Sequence, residues 1–385
     1  MNNDIEIALI ESAKQNIANK TTSLVGEETR VNIDRYKDQQ RFEQECHGIF
    51  AKLPTIVLHS SSLPEANSYQ SVETPVGSLI VSRDANGKAH VLRNSCRHRG
   101  ARLVNGKGCS KRLVCPYHAW SYSTNGELSN VPGQQQCFPN LDKAQNGLLS
   151  LGCIEKFGFI WLCPGLKNNE NADTHLTTHL KGMAAHLTWL KPDELKVFQT
   201  TTKLWKGNWK LFAEGGLETY HFSFAHKGTI APYFHNNIAV IDQIDQHFRV
   251  VMPTKSLSST QTHESGDLSL HDCSHTLFYL LPSAALLIQK EHVDWIQFNP
   301  KGPEETEITV TTLIPVNANL DDSEQRRHWQ KNHHITNETL DEDWQLGESI
   351  QSSIDEMALP YIQYGRNEWA LAAFNKVIDS YIKKA

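Results

Sequence analysis

Hydrophobic spacing changes character twice along the chain. Over residues 1–50 it is helical. Ile5, Ala8, Leu9 and Ala13 recur near the 3.6-residue period, and a second helical pattern runs through DRYKDQQRFEQECHGIF with Phe42, Cys46 and Phe50 on its apolar side. Pro54 closes this section. From 55 to about 165 the runs shorten and alternate. TIVLHS, SLIVS, AHVLR, RLVC and FGFIWLC read as strands broken by turns at DANG, NGKG and TNGE, which predicts a small all-β unit. A polar stretch at 164–175 reads as a linker, and 176–190 as a short helix. VFQTTTKLWKGNW then reads as a strand leading into a further helical segment. HFRVVMP, HTLFYLLP, ALLIQKEHVDWIQFNP and TEITVTTLIPV predict an antiparallel sheet with one covered face. Two helices close the chain. One spans about 321–357, capped by Asp321, Asp322 or Ser323; the other spans about 367–383, with Leu371, Phe374, Ile378 and Tyr381 on one stripe. The pattern predicts an α+β chain in three parts: helices over 1–52, an all-β unit over 53–165, and a unit of sheet and helices over 166–385.

A length of 385 residues accommodates one large or two ordinary domains, each with its own core. A net charge of −6 without basic runs argues against a nucleic-acid partner. The N-terminus lacks a basic segment followed by an apolar run, so no signal peptide is expected. The longest apolar runs, such as AALLI at 284–288, fall short of a membrane span. A soluble, cytoplasmic protein is expected. Of the eight cysteines, Cys46, Cys109, Cys137, Cys153, Cys163 and Cys273 show no ligand spacing and read as small hydrophobes.

Two stretches carry chemistry. The first, NWKLFAEGGLETYHFSFAH at 208–226, concentrates two carboxylates and two histidines among aromatics. On a helix, Glu214, Glu218 and His221 share one face. His226 follows His221 by five positions, about 140° around an ideal helix. For both imidazoles to reach one metal, the helix must bulge or loosen between them. Two histidines with a carboxylate from elsewhere make the facial triad of a non-haem Fe(II) oxygenase. The spacing alone is a weak signal, because nineteen histidines make chance pairs common. The second stretch holds a Cys96-x-His98 pair and a Cys115-x2-His118 pair, separated by sixteen residues. Two thiolates and two imidazoles suit either zinc or a [2Fe–2S] centre. A zinc finger more often uses CxxC followed by HxxxH. One Cys and one His on each of two short loops matches a cluster whose thiolates hold one iron and whose imidazoles hold the other. Gly100, Gly106 and Gly108 allow tight turns that aim backbone N–H groups at sulfide, and Pro116 stiffens the second loop.

CRHRGARL and CPYHAWSYSTNGEL resemble the cluster loops of Rieske non-haem iron oxygenases, and the 208–226 stretch resembles the mononuclear-iron helix of the same family. Ala101 stands where respiratory Rieske proteins carry a disulfide cysteine. The resemblance covers about 50–375. It implies a small all-β Rieske [2Fe–2S] domain and a helix-grip catalytic domain whose curved antiparallel sheet wraps a long helix, with the N-terminal helices packed on the catalytic domain. It implies that Cys96, His98, Cys115 and His118 hold the cluster, while His221, His226 and Asp343 hold mononuclear Fe(II). Gln351 fits the family's downstream glutamine. Asp341, Glu342 and Asp343 adjoin, so spacing does not separate Glu342 from Asp343 as third ligand. Glu218 matches the family's bridging carboxylate, which accepts a hydrogen bond from a Rieske histidine of a neighbouring subunit and implies a cyclic homotrimer. Many members carry Asp here; Glu is reminiscent of the branch acting on carnitine and other quaternary amines. Glu214 is expected either to act beside Glu218 in catalysis or to pair with Lys210 at i−4.

Tyr220, Phe222, Phe224, Tyr233, Phe234, Phe278, Tyr279, Trp295 and Phe298 are mostly expected in the core. Phe278, Ile288 and Trp295 are expected to line the substrate pocket. His235, His247, His263, His271, His275 and His292 read as structural or surface residues. No GxGxxG follows a strand, so a separate NAD(P)H-dependent reductase, with or without a ferredoxin, is expected to supply electrons. The resemblance implies a terminal oxygenase. It would activate O2 at the mononuclear iron with electrons relayed from the cluster, to hydroxylate, dihydroxylate or demethylate an aromatic ring or quaternary amine. Two rivals remain: a Rieske electron carrier without oxygenase activity, and a zinc hydrolase with an unrelated cysteine cluster.

Overall fold

Glycine-bearing turns cut the first β-rich stretch into short strands. Gly87 and Gly126 take positive φ (82° and 93°) at the predicted DANG and TNGE breaks, a conformation that favours glycine. The computed structural model describes residues 1–259 and 268–383, so His263 lies outside the described residues. It divides into two compact units, Phe50–His179 with Lys191–Lys196, and Met1–Ile49 with Leu180–Leu190 and Val197–Ala385.

The first unit is built on a seven-stranded antiparallel sheet in the order Thr55–His59, Phe159–Cys163, Ser150–Lys156, Ala89–Arg93, Gly77–Arg83, Ser68–Thr74, Lys107–Cys109. A three-stranded sheet joins Leu113–Val114, Ser121–Tyr122 and Leu128–Asn130. Its core includes Ile80, Leu92, Leu113, Trp120 and Tyr122, together with the sulfurs' own residues Cys96 and Cys115. The expected boundary near 165 falls short. Residues 166–179 belong with this unit because Leu166 O accepts from Gly152 N (2.8 Å), Asn169 Oδ1 accepts from Cys153 N (2.8 Å), and Asp173 pairs with Lys156 (2.6 Å).

The second unit carries a seven-stranded antiparallel sheet in the order Leu195–Trp205, Glu305–Pro315, Val293–Gly302, Ala284–Ile288, Ser274–Leu280, His247–Pro253, Val240–Ile244. Along each strand, side chains alternate between two faces. Met252, His275, Leu277, Leu287 and Gln289 line a pocket on one face, while Phe278 packs against His186 and Trp189 on the other. The long helix Ser323–Asp355 is capped by Asp322, whose carboxylate accepts from Glu324 N and Gln325 N. Two helical expectations change. The segment 176–190 is two helices, Ala172–Leu180 and Met183–Leu190, parted at Lys181 (φ 44°) and Gly182. The second N-terminal pattern breaks into a 3-10 turn at Ile33–Tyr36, an α-helix at Gln39–Glu45 and a π turn at Cys46–Phe50. Just before it, Thr29–Asn32 pairs with Tyr361–Tyr364, a two-stranded link too short and too distant in sequence to carry a periodic signal.

Candidate metal centres

In the first unit, the two Cys–His loops share one backbone design. Cys96 N donates to Ala101 O (2.9 Å) and Gly100 N donates to Cys96 O (2.8 Å). Cys115 N donates to Trp120 O (2.8 Å) and Ala119 N donates to Cys115 O (3.0 Å). The residue four after each cysteine is left-handed, Gly100 at φ 78° and Ala119 at φ 58°. Cys96 and Cys115 are buried and make no disulfide, while His98 is half-buried and His118 exposed. The imidazoles turn the same nitrogen inward, with His98 Nδ1 3.1 Å from His118 Nδ1. Trp120 stacks on His98 at 4.9 Å, and desolvation with the His118 and Arg99 charges lowers the His98 pKa. Tyr122 Oη accepts from Arg97 N (3.0 Å), which leaves its O–H to donate to Cys96 Sγ (3.3 Å). Burial and this sulfur raise the Tyr122 pKa. Two sulfurs inside and two facing imidazoles outside, with a donor aimed at sulfur, fit a [2Fe–2S] cluster.

In the second unit, the segment expected as one loosened helix is interrupted instead. Trp209–Gly215 ends at the Gly215–Gly216 pair, and a short helix, Phe222–Ala225, follows with His221 before it and His226 after it. This break brings the two imidazoles together, with ring centroids 5.1 Å apart and planes at 70°. Asp343 Oδ1, from the long helix, lies 3.3 Å from His221 Nε2 and 2.9 Å from His226 Nε2. Neither buried Nε2 makes a hydrogen bond, and the three ligand atoms lie within 4.8 Å of one another. Each ring is held from behind by a carboxylate: Glu218 Oε1 at His221 Nδ1, and Glu342 Oε2 2.7 Å from His226 Nδ1. Thr229 Oγ1 also donates to Glu342 (2.7 Å). A carboxylate behind each imidazole fixes the tautomer that points a lone pair at the centre, which suits a divalent metal. Burial opposes the charged imidazole at both positions. Glu218 and Asp343 nevertheless lift the His221 pKa to about 9, and Asp343 with Glu342 raises that of His226.

Glu342 therefore sits behind His226 rather than at the centre, and Asp343 alone of the acidic run reaches both rings. Glu214 is away from the centre, contrary to expectation. It accepts from Tyr36 Oη (2.9 Å), Tyr364 Oη (2.9 Å) and Asn375 Nδ2 (2.7 Å), and burial raises its pKa. Nor does it pair with Lys210, which donates to Glu45 at 2.7 and 2.9 Å. Gln351 Oε1 accepts from Asn208 N (3.0 Å), anchoring the start of the 209–215 helix to the long helix.

The pocket beside the triad holds about 650 Å³ of space including its mouth. Phe278, Ile288 and Trp295 do not line it; their neighbours Leu277, Leu287 and Gln289 do. The register explains this, since Leu277 pairs with Leu287 and Leu287 with Asp294 on the pocket face. His275 lines the pocket rather than serving a purely structural role, and burial lowers its pKa to about 4. Ile335, Thr336, Thr339 and Leu340 complete the wall from the long helix. Helical steps back from Asp343 point to them, a signal present in the sequence. Tyr220, Phe224 and Tyr233, expected mostly in the core, are exposed at 52%, 66% and 66%.

A model of the Rieske [2Fe-2S] domain matches residues 54–149, and a model of the ring hydroxylating alpha subunit (catalytic domain) matches residues 192–384. The large subunit of anthranilate 1,2-dioxygenase from Acinetobacter baylyi is 30% identical over 56% of this chain and 47% of its own length. The carnitine monooxygenase oxygenase subunit of Escherichia coli K12 is 32% identical over 50% of this chain and 51% of its own. The chain thus spans about half the length of the curated relatives it matches. A crystal structure of the quaternary ammonium Rieske monooxygenase CntA with L-carnitine shares the fold, with TM-score 0.76, 21% identity, and coverage of 93% of this chain and 96% of that one.

Proposed function

The chain belongs to the family of ring-hydroxylating alpha subunits, with a Rieske [2Fe-2S] domain ahead of the catalytic domain, and on that premise we propose that it is the terminal oxygenase of a multicomponent system. The observation that carries this reading is the convergence of His221, His226 and Asp343 in the wall of an apolar pocket. An electron carrier has no use for such a triad, and a zinc hydrolase has none for the paired Cys–His loops. Cys96, His98, Cys115 and His118 would hold the cluster, and His221, His226 and Asp343 a mononuclear Fe(II). When bound, these groups supply stored electrons and O2 activation. The protein's own residues orient and shield. Glu218 and Glu342 hold the imidazoles in one tautomer, and Phe222, Phe234, Leu277 and Leu287 keep the pocket apolar.

Among the described residues lining the pocket, no Lys or Arg offers a counter-charge to a carboxylate, and Phe222 and Phe234 stand edge-to-face at 5.5 Å. These features favour a neutral, mainly apolar ring substrate, hydroxylated or dihydroxylated. N-demethylation of a quaternary amine is the second reading, favoured by Glu218 and by the fold likeness to the carnitine enzyme. Glu218 also serves as the inter-subunit bridge in a homotrimer, a role supported by the exposed aromatic Tyr220, two residues on, and by Phe224, which packs against Tyr220. Electrons come from a separate NAD(P)H-dependent reductase, directly or through a ferredoxin, in the cytoplasm. No helix among the described residues is long and apolar enough to cross a membrane.

Purified protein is expected to carry about three irons and two acid-labile sulfides per chain. With a surrogate reductase, O2 uptake should respond to a panel of neutral rings, indole first, and trimethylammonium compounds. Cys96→Ser should lose the brown colour, whereas His221→Ala should keep it and lose turnover. Full activity in the His221 variant would end the reading.

A further inference from the structure

A continuous line of hydrogen bonds runs from the strand surface to the pocket wall of the catalytic unit. Thr201 Oγ1 lies 2.8 Å from His333 Nε2, and His333 Nδ1 lies 2.7 Å from Thr312 Oγ1. Thr312 Oγ1 donates to Asp294 Oδ1 at 2.5 Å, and Asp294 Oδ2 accepts from Thr336 Oγ1 (2.9 Å) and Gln289 Nε2 (2.8 Å). Thr201 is half-buried at the outer end; Thr336 and Gln289 line the pocket at the inner end. Between them, His333, Thr312 and Asp294 are buried. His292 Nε2 lies 3.2 Å from Asp294 Oδ2 outside hydrogen-bond geometry, and His275, two strands away in the sheet, feels the Asp294 charge.

We propose that Thr201, His333, Thr312, Asp294 and Thr336 form a relay that carries protons from solvent to the oxygen-reducing pocket. This inference rests on the oxygenase reading. Incorporation of oxygen from O2 with two electrons consumes two protons, whether the outcome is a hydroxylated product plus water or a diol. The pocket wall is mainly apolar, so those protons need a built route. The chain is already oriented for inward transfer. Burial keeps His333 neutral, with Nε2 accepting from Thr201 and Nδ1–H donating to Thr312, whose own O–H points at Asp294.

The step balances. Thr201 Oγ1 passes its hydroxyl proton to His333 Nε2 and takes one from solvent, while His333 gives its Nδ1 proton to Thr312 Oγ1. Thr312 hands its hydroxyl proton to Asp294 Oδ1. The neutral carboxyl turns and protonates Thr336 Oγ1, whose original hydroxyl proton leaves into the pocket. One proton enters, one leaves, and nothing is oxidised or reduced. Thr339 Oγ1 is buried on the same wall, has no partner among the described residues and can pass the outgoing proton on by releasing its own into the pocket.

Thr312→Val removes the central hydroxyl at nearly constant volume, and Thr312→Ser restores it. The holoenzyme with a surrogate reductase and indole, or the ring substrate the panel identifies, is assayed in H2O and D2O. In Thr312→Val, product formation is expected to fall roughly a hundredfold, with more O2 released as H2O2 and a changed solvent isotope effect. Iron and sulfide content should be unchanged, and Thr312→Ser should recover. In metal-free protein, 15N NMR of the imidazoles should report His333 as the neutral Nδ1–H tautomer. Wild-type rate, coupling and isotope effect in Thr312→Val would overturn the relay, as would the opposite tautomer. A wild type that takes up no O2 with any substrate would overturn the oxygenase reading, and the relay with it.

Discussion

Glu342 Oε2 stands 2.7 Å from His226 Nδ1, behind the ring whose other nitrogen, Nε2, lies 2.9 Å from Asp343 Oδ1. Successive residues of one helix thus face the two nitrogens of a single imidazole, Glu342 through a hydrogen bond and Asp343 by approach alone. The carboxylates differ in kind: one shares the centre, the other fixes the ring. Asp343→Ala should therefore lose the mononuclear metal outright. Glu342→Gln should keep it with affinity lowered roughly 10- to 100-fold, the usual cost of removing such a supporting group. Metal titration of iron-stripped protein measures both, with the cluster's colour as internal control. Loss of the ion in Glu342→Gln and retention in Asp343→Ala would reverse the assignment.

Metal binding at this centre should depend steeply on pH. Burial alone would lower the His221 pKa, but Glu218 and Asp343 lift it to about 9 in the metal-free chain. A metal must displace that proton, so affinity should rise about tenfold per pH unit between 7 and 9 for one proton released. The linked stability runs the other way. In the metal-free protein the favourable interaction of charged His221 is fully present below the unfolded value near 6.5 and fades as pH rises through about 9. Cobalt(II) titrations at pH 7 and 8.5 test the first statement, and a flat response would contradict it.

The pocket prediction concerns strand parity. Leu277→Trp and Leu287→Trp should obstruct substrate, raising KM or redirecting the position of attack. Phe278→Leu, on the opposite face, should leave KM unchanged and cost about 1 kcal/mol of stability. Equal effects on KM from positions 277 and 278 would contradict the register.

Much of this molecule was legible in the sequence because its signals are local. The Cys96–His98 and Cys115–His118 pairs, the break from short strands to longer ones, and the Asp322 cap all arise from neighbours in the chain. What escaped depends on pairing. Alternation shows that Phe278 and Leu277 face opposite sides, yet which side holds the pocket is decided by the partners on adjacent strands. Residues 164–175 look like a linker because their apolar content is low, but the backbone bonds at Leu166 and Asn169 tie them to the first unit. Glu214 and Lys210 suggest an i, i+4 pair, whereas tertiary packing gives each a different partner.

Lys210 and Glu45 form an ion pair with essentially no exposure, supplemented by Trp209 Nε1 at 2.9 Å from Glu45 Oε2. Taking both charges out of water is costly, so the pair's net value is small while the loss of one member is severe. Lys210→Met should destabilise the protein by roughly 3 kcal/mol, because the buried Glu45 then keeps only Arg41 Nε (3.2 Å) and Trp209 Nε1 as partners. Adding Glu45→Gln should recover much of that loss. Denaturant unfolding of both variants measures the difference, and additive losses in the double variant would contradict a coupled pair.

Glu218 is where the two metal centres would meet, and its charge can be separated from its shape. Its Oε1 holds His221 Nδ1 and its Oε2 takes the Tyr220 N–H. Glu218→Gln keeps a carbonyl oxygen for His221 but removes the negative charge that opposes burial. The His221 pKa should then fall, and the pH slope of metal binding near neutrality should flatten. Iron and sulfide should both remain. If Glu218 also accepts a hydrogen bond from a cluster histidine of the neighbouring subunit, single-turnover electron transfer should slow sharply in the same variant. Glu218→Asp should recover part of it, since the charge survives one methylene short. The two readouts divide the roles. A flattened pH slope with an unchanged transfer rate would leave Glu218 as a support for His221 and remove it from the bridge.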